Sequence, residues 1–162
     1  MITVTDYKTA VARQDEFDLI LSFREPGHLS KCKADFSRSN HKQHIGVFSD
    51  VEYKVSVFDP PPEREHIESI IEFYAKNNGK EKNVISHCTA GIGRSTAVAI
   101  GLLIIFHDLT IAEAWDTIET QRRQMWPNDL VLKHFDEIMV LGGQLVKHSA
   151  DWKESKRGKL II

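Results

Sequence analysis

From Asn83 to His107 the chain runs through an apolar segment, Asn83-Val84-Ile85-Ser86, then the small-residue stretch His87-Cys88-Thr89-Ala90-Gly91-Ile92-Gly93-Arg94, then a long apolar run from Ser95 to His107. The first piece reads as a short buried strand and the last as an apolar helix. A strand that passes through a glycine-bearing loop into a helix is the repeating unit of α/β architecture. It also sets Cys88 in a tight loop that feeds a helix N-terminus.

Strand and helix signals alternate around this unit. Ile2 to Thr5 reads as an edge strand, Asp6 as the cap of a short helix through Ala12, and Phe17 to Phe23 as a second strand closed by the Glu25-Pro26-Gly27 turn. His28 to Lys42 is polar and irregular, a surface loop whose Lys31, Lys33, Arg38 and Lys42 read as a solvated face. His44 to Phe48 is a third strand candidate, and Ser49 to Pro62 a loop holding Asp50, Asp59 and three consecutive prolines. Pro62 suits the first turn of a helix running to about Asn77, where Asn78-Gly79 stops it, and Ile67, Ile70, Ile71 and Tyr74 recur on one face of that helix. Thr110 caps a helix through Arg123, and Asn128 a last helix from Asp129 to about Leu145. The expectation is a single α/β domain over residues 1–150, with a central, mostly parallel sheet of four to five strands flanked by helices. Residues 151–162 are expected to form a flexible C-terminal tail.

A chain of 162 residues suits one compact domain, and a net charge of -2 lacks the basic excess of a nucleic-acid binder. Met1 to Asp6 shows no basic segment followed by a long apolar stretch, and the run from Ala97 to Phe106 is too short to cross a bilayer. These features point to a cytoplasmic monomer that engages neither nucleic acid nor membrane. Two cysteines are present, and in a reducing compartment Cys88 reads as a free, chemically employed thiol. Cys32 reads as an incidental small residue, with a reversible disulfide protecting Cys88 as the alternative. His41 and His44 have a spacing that suits a metal, but no second ligand pair accompanies them, so neither a metal site nor a cofactor is expected.

The loop itself carries the chemistry. The thiolate is the nucleophilic form of cysteine, and a helix N-terminus together with backbone N–H groups stabilises an anion placed before it. The same donors, from Thr89, Ala90, Gly91, Ile92, Gly93 and Arg94, suit the oxygens of a phosphate. Gly91 and Gly93 permit the inward curl of the amides and close approach to a ligand. Arg94 offers a planar fork to two phosphoryl oxygens, which a lysine does not match. Ser95 is placed to hydrogen-bond the sulfur, and His87, pointing away from the loop in a regular strand, to fix loop geometry. Two steps follow: Cys88 takes a phosphoryl group as phosphocysteine, and water releases phosphate, with no metal required.

The run from His87 to Thr96 resembles the signature H-C-x-x-G-x-x-R-S/T of the cysteine-dependent protein tyrosine phosphatases. Downstream, Arg122-Arg123-Gln124-Met125-Trp126-Pro127-Asn128, followed by Leu130, resembles the segment that opens the last helix in the small dual-specificity branch. With Phe48-Ser49-Asp50-Val51 and Pro62 to Ile67, the chain is similar to a compact bacterial-type tyrosine phosphatase-like group over about residues 17–148. The resemblance implies the phosphotyrosine phosphatase fold and a general acid from a loop ahead of the signature. Two aspartates compete for that role. Separation from Cys88 favours Asp59, whereas the strand-end setting Phe-x-Asp-Val favours Asp50, which is preferred. Asp59 otherwise forms a turn beside Pro60. Trp126-Pro127-Asn128-Asp129 imitates an acid loop but follows the cysteine, so Asn128 and Asp129 read as helix cap and first turn. Arg122 and Arg123 are read as salt-bridge or solvated residues, with substrate contact as the alternative.

No lysine or histidine lies between Cys88 and Arg94, which fits a substrate with a single phosphate, phosphotyrosine above all, with dual specificity open. The alternatives are a phosphatase of a small metabolite, nucleotide or lipid phosphate, and a phosphate-binding module without turnover.

Overall fold

The computed structural model describes residues 1–27, 36, 41–53 and 56–159. Strands β1 (Ile2–Asp6), β2 (Leu19–Arg24), β3 (Lys42–Val47) and β4 (Val84–Cys88) form one sheet in the order β1-β4-β2-β3, with every pairing parallel. This is the parallel sheet that the alternation of strand and helix signals implies. The register sets Asp6 opposite Cys88 and Ser22 opposite His87, so Cys88 ends an interior strand at the carboxyl edge of the sheet. In open α/β sheets that edge is where ligands bind.

Helices α1 (Tyr7–Ala12), α2 (Arg64–Lys76), α3 (Arg94–His107), α4 (Ile111–Gln121), α5 (Asp129–Met139) and α6 (Gln144–Lys159) cover the sheet. Strand alternation divides the interior in two. Leu19, Leu21, Phe23, Val84 and Cys88 face the larger core with α2 to α5, whereas Ile20 and Ile85 face a smaller cluster with Ala10 and Phe36. Every residue of α3 from Arg94 to Leu103 is buried, which explains why its sequence is apolar on all sides. Gly101 lies so close to the Phe135 ring of α5 that a β-carbon there would strike it.

Local sequence rules account for most helix starts. Asp6 accepts from Thr9 N, Thr110 and Glu113 form a reciprocal capping box, and Asn128 accepts from Leu130 N and Val131 N. Glu63 caps α2, so Pro62 sits just before the helix rather than inside its first turn. At the open edge of β1, the Gln121 side-chain amide accepts from Val4 N at 3.0 Å and donates to Ile2 O at 3.0 Å.

Several boundaries differ from expectation. The helix capped by Thr110 ends at Gln121, short of Arg123. The helix read from Asp129 to Leu145 is two helices, because Val140, Gly142 and Gly143 all adopt positive φ and turn the chain. The buried Asp136 carboxylate stabilises that turn, accepting from Gly143 N at 2.7 Å and Leu145 N at 2.8 Å. Residues 151–159, read as part of a tail, continue α6, with Lys153 buried. Lys42 opens β3 instead of closing the preceding loop. Cys32, Lys31, Lys33 and Arg38 lie outside the described residues.

Candidate active site

Cys88 is the last residue of β4, and Arg94 the first of α3, so residues 89–93 must turn the chain between them. Ser86 Oγ donates to Ser95 O at 3.0 Å, bracing strand against helix. Cys88 Sγ lies 3.2 Å from Ser95 Oγ, the contact that the sequence assigns to this serine.

The loop is held from outside by its carbonyls. Arg122 donates from its guanidinium to Ala90 O at 2.8 Å and Gly91 O at 3.1 Å. Trp126 N donates to Ile92 O at 2.9 Å and Asn128 N to Gly93 O at 3.2 Å, and Thr96 Oγ1 donates to both oxygens. In a trans peptide the C=O of one residue and the N–H of the next point in opposite directions, and no cis bond occurs among the described residues. Four carbonyls turned outward therefore turn the N–H groups of Gly91, Ile92, Gly93 and Arg94 inward. That is the anion cradle expected of the glycine-bearing loop. Gly91 has φ of 68°, which favours glycine, and it packs on the backbone of Thr5 and Asp6.

Arg94 is buried but not idle. One terminal nitrogen donates to Phe48 O at 2.9 Å, and the other pairs with Glu25 and lies 3.4 Å from Thr89 Oγ1. Thr89 Oγ1 donates to Glu25 as well, at 3.1 and 3.2 Å. Arg94 Nε finds no partner among the described residues. A buried N–H without a partner is costly, and an oxyanion in the cradle would satisfy it.

The two aspartates are placed differently. A β-carbon on Gly93 would strike the Asp50 carboxylate, with Oδ1 only 2.7 Å away, so Asp50 lies directly over the loop. Asn128 Nδ2 fixes it there, donating to Asp50 Oδ1 at 2.9 Å and to Val51 O at 3.2 Å. Asp59 instead closes a turn, accepting from Ser56 Oγ at 3.3 Å and Ser49 Oγ at 3.5 Å. A groove beside the loop is lined by Val51, Tyr53, Ile92 and Trp126 together with Asp50 and Asn128.

His87 sits on the opposite face of β4, fully buried, its ring centroid 5.2 Å from that of Phe36. Burial pushes its pKa down to about 4, outweighing a long hydrogen bond to Cys88 O, so the ring is neutral near pH 7. His44 lies 3.3 Å from Ser69 Oγ and packs near Phe73, while His41 packs edge-on to Phe36.

Sequence reasoning gave Glu25 only a turn and Asn128 only a cap, and each does more. Arg122, for which the sequence leaves salt bridging, solvent or substrate contact open, grips the loop carbonyls; Arg123 is exposed. Lys153, read as part of a flexible tail, reaches Glu52 at the rim of the groove. An arginine four residues before a Trp-Pro-Asn segment was the one available signal for Arg122; for Glu25 and Lys153 no local signal exists.

The dual specificity phosphatase catalytic domain model matches residues 7–138. Rat dual specificity protein phosphatase 15 is 29% identical over 131 residues, which cover 79% of this chain and 56% of that protein. Dual specificity protein phosphatase MPK-4 of Drosophila melanogaster is 29% identical over 90 residues, covering 53% of this chain and 23% of its own length. The matches thus span about half or less of these curated relatives. Among solved structures, the human tyrosine phosphatase-like serine/threonine/tyrosine-interacting protein has a TM-score of 0.66 at 16% identity, covering 86% of this chain and 91% of that one. Human DUSP28 has a TM-score of 0.64 at 14% identity, covering 88% and 94%. At such identities the likeness is one of fold.

Proposed function

Because the chain belongs to the dual specificity phosphatase catalytic-domain family, we propose that it hydrolyses phosphomonoesters on proteins, phosphotyrosine foremost, through a phosphocysteine intermediate and without a metal. The observation that carries this reading is the convergence on one loop of the Cys88 sulfur, the Asp50 carboxylate and Arg94 Nε, which has no partner among the described residues. The inward N–H groups and Arg94 hold the phosphoryl oxygens and take up the charge that grows on them. Cys88 Sγ forms a bond to phosphorus as the ester oxygen leaves, and protonated Asp50 gives that oxygen its proton. Water then attacks the phosphocysteine, Asp50 takes its proton, and the sulfur departs with Ser95 Oγ–H hydrogen-bonded to it. Phosphate charge is met by backbone dipoles and the Arg94 guanidinium, so no step calls for a metal cation.

The apolar walls of Val51, Tyr53, Ile92 and Trp126, with no basic side chain inside the loop, suit an aromatic ring carrying one phosphate. A reducing cytosol suits a mechanism that runs through a free thiol. In buffer with EDTA, the protein should release phosphate from phosphotyrosyl peptides and p-nitrophenyl phosphate, and Cys88→Ser should lower turnover by about a thousandfold or more. Asp50→Asn should slow phenyl phosphate by about a hundredfold, and Asp59→Asn should leave it near the wild-type rate. Turnover confined to phosphoinositides or nucleotides in a substrate panel would move the reading to lipid or metabolite phosphates. Phosphopeptide binding with no release would make the chain a binding module.

A further inference from the structure

We infer that α6 fixes the Asp50 acid over the loop through Lys153, which acts as a positioning residue. The inference rests on the function proposed above and adds to it an element beyond residue 138, where the family match ends. Lys153 is buried, and its Nζ donates to Pro127 O at 2.8 Å and pairs with Asp129 Oδ2 at 2.8 Å and Glu52 Oε1 at 3.7 Å. All three partners belong to the two segments that meet over the loop. Residues 127–129 hold the acid segment: Asn128 Nδ2 binds Asp50 and Val51, and Asp129 N donates to Glu52 Oε1 at 3.3 Å. A single ammonium thus ties both sides of the contact that places Asp50.

Three further contacts keep α6 in register there. Ser149 Oγ donates to Asp129 Oδ1 at 2.6 Å, and Lys153 and Arg157, one turn apart, lie 5.3 and 5.6 Å from the Trp126 ring centroid. Burying an ammonium is costly unless its partners are well placed, so a lysine stem that only filled space would be outdone by methionine. The charge is explained by what it holds together.

The test compares wild type, Lys153→Met, Asp50→Asn and the double variant on p-nitrophenyl phosphate and phenyl phosphate in EDTA. A positioning role predicts that Lys153→Met slows phenyl phosphate about tenfold and p-nitrophenyl phosphate less than about twofold, because only the poor leaving group needs a well-placed acid. In the Asp50→Asn background the same change should have no further effect, and Lys153→Arg should restore most of the loss. Glu52→Gln, at the exposed end of the contact, should show a smaller loss with the same leaving-group preference, which keeps the test usable if Lys153→Met fails to fold. Equal losses on both esters, equal losses with and without Asp50, or no loss would each overturn the inference. A wild-type protein with no turnover overturns the proposed function and this inference together. Turnover abolished by Cys88→Ser but unaltered in its leaving-group dependence by Lys153→Met and Glu52→Gln overturns the inference alone.

Discussion

At Gly91, backbone angle and available space impose the same choice. Its φ of 68° strains any residue with a side chain, and a β-carbon there would lie 2.5 Å from Thr5 C, 2.6 Å from Thr5 O and 2.7 Å from Asp6 N. Those neighbours are backbone atoms of β1 and cannot swing away. Gly91→Ala should destabilise the fold by about 2–4 kcal/mol in urea unfolding and abolish vanadate binding, since the inward N–H groups lose their alignment. At this scale Cys88, Arg94 and Ser95 were legible because they are neighbours in sequence and their chemistry depends on that spacing. Glu25, which pairs with Arg94 across 69 positions, was hidden for the opposite reason: a Glu-Pro-Gly stretch carries a turn signal whether or not its carboxylate meets a guanidinium.

Among the elements, the caps at Asp6, Thr110 and Asn128 were readable because a cap is a local hydrogen bond between residues three apart or fewer. The junction between α5 and α6 was misread although Gly142-Gly143 marks it, because the apolar periodicity continues through Leu141 and Leu145 and outweighs the glycines by eye. What decides the matter is Asp136, whose carboxylate takes the N–H groups that a turn leaves free. Asp136→Ala should therefore cost about 2–3 kcal/mol, read as a lower urea midpoint at unchanged slope, because it leaves buried donors unsatisfied. An unchanged midpoint would mean that the glycines alone make the break. Asn128 shows the limit of local reading: its cap was visible, but its second bond, to Asp50 across 78 positions, was not.

For the molecule as a whole, burial of His87 couples stability to acidity. The folded protein holds this ring to a pKa of about 4, against an ordinary 6.5, with Arg24 and Arg94 adding to the depression and Asp6 opposing it. Above pH 6.5 neither state is protonated there and the term vanishes. As pH falls from about 6.5 toward 4, the unfolded chain takes up a proton that the fold refuses, so stability drops. His87→Gln should reduce the loss of unfolding free energy between pH 7 and pH 4.5 by on the order of 2–3 kcal/mol. Residual acid sensitivity should remain, because burial also lowers His44 and His107. An identical acid profile in the variant would rule out His87 as the source. The parallel sheet followed from the alternation of strands and helices, but its order did not: β4 enters between β1 and β2, a placement that periodicity does not encode.

The Gln121 amide on the outer edge of β1 stands where a neighbouring strand would pair. Exposed strand edges invite pairing with another chain, and a side chain that offers one donor and one acceptor in the place of a strand satisfies Ile2 and Val4 without supplying anything to extend. At Ile2 and Val4 the outer edge of β1 is thereby closed by a side chain rather than by a further strand.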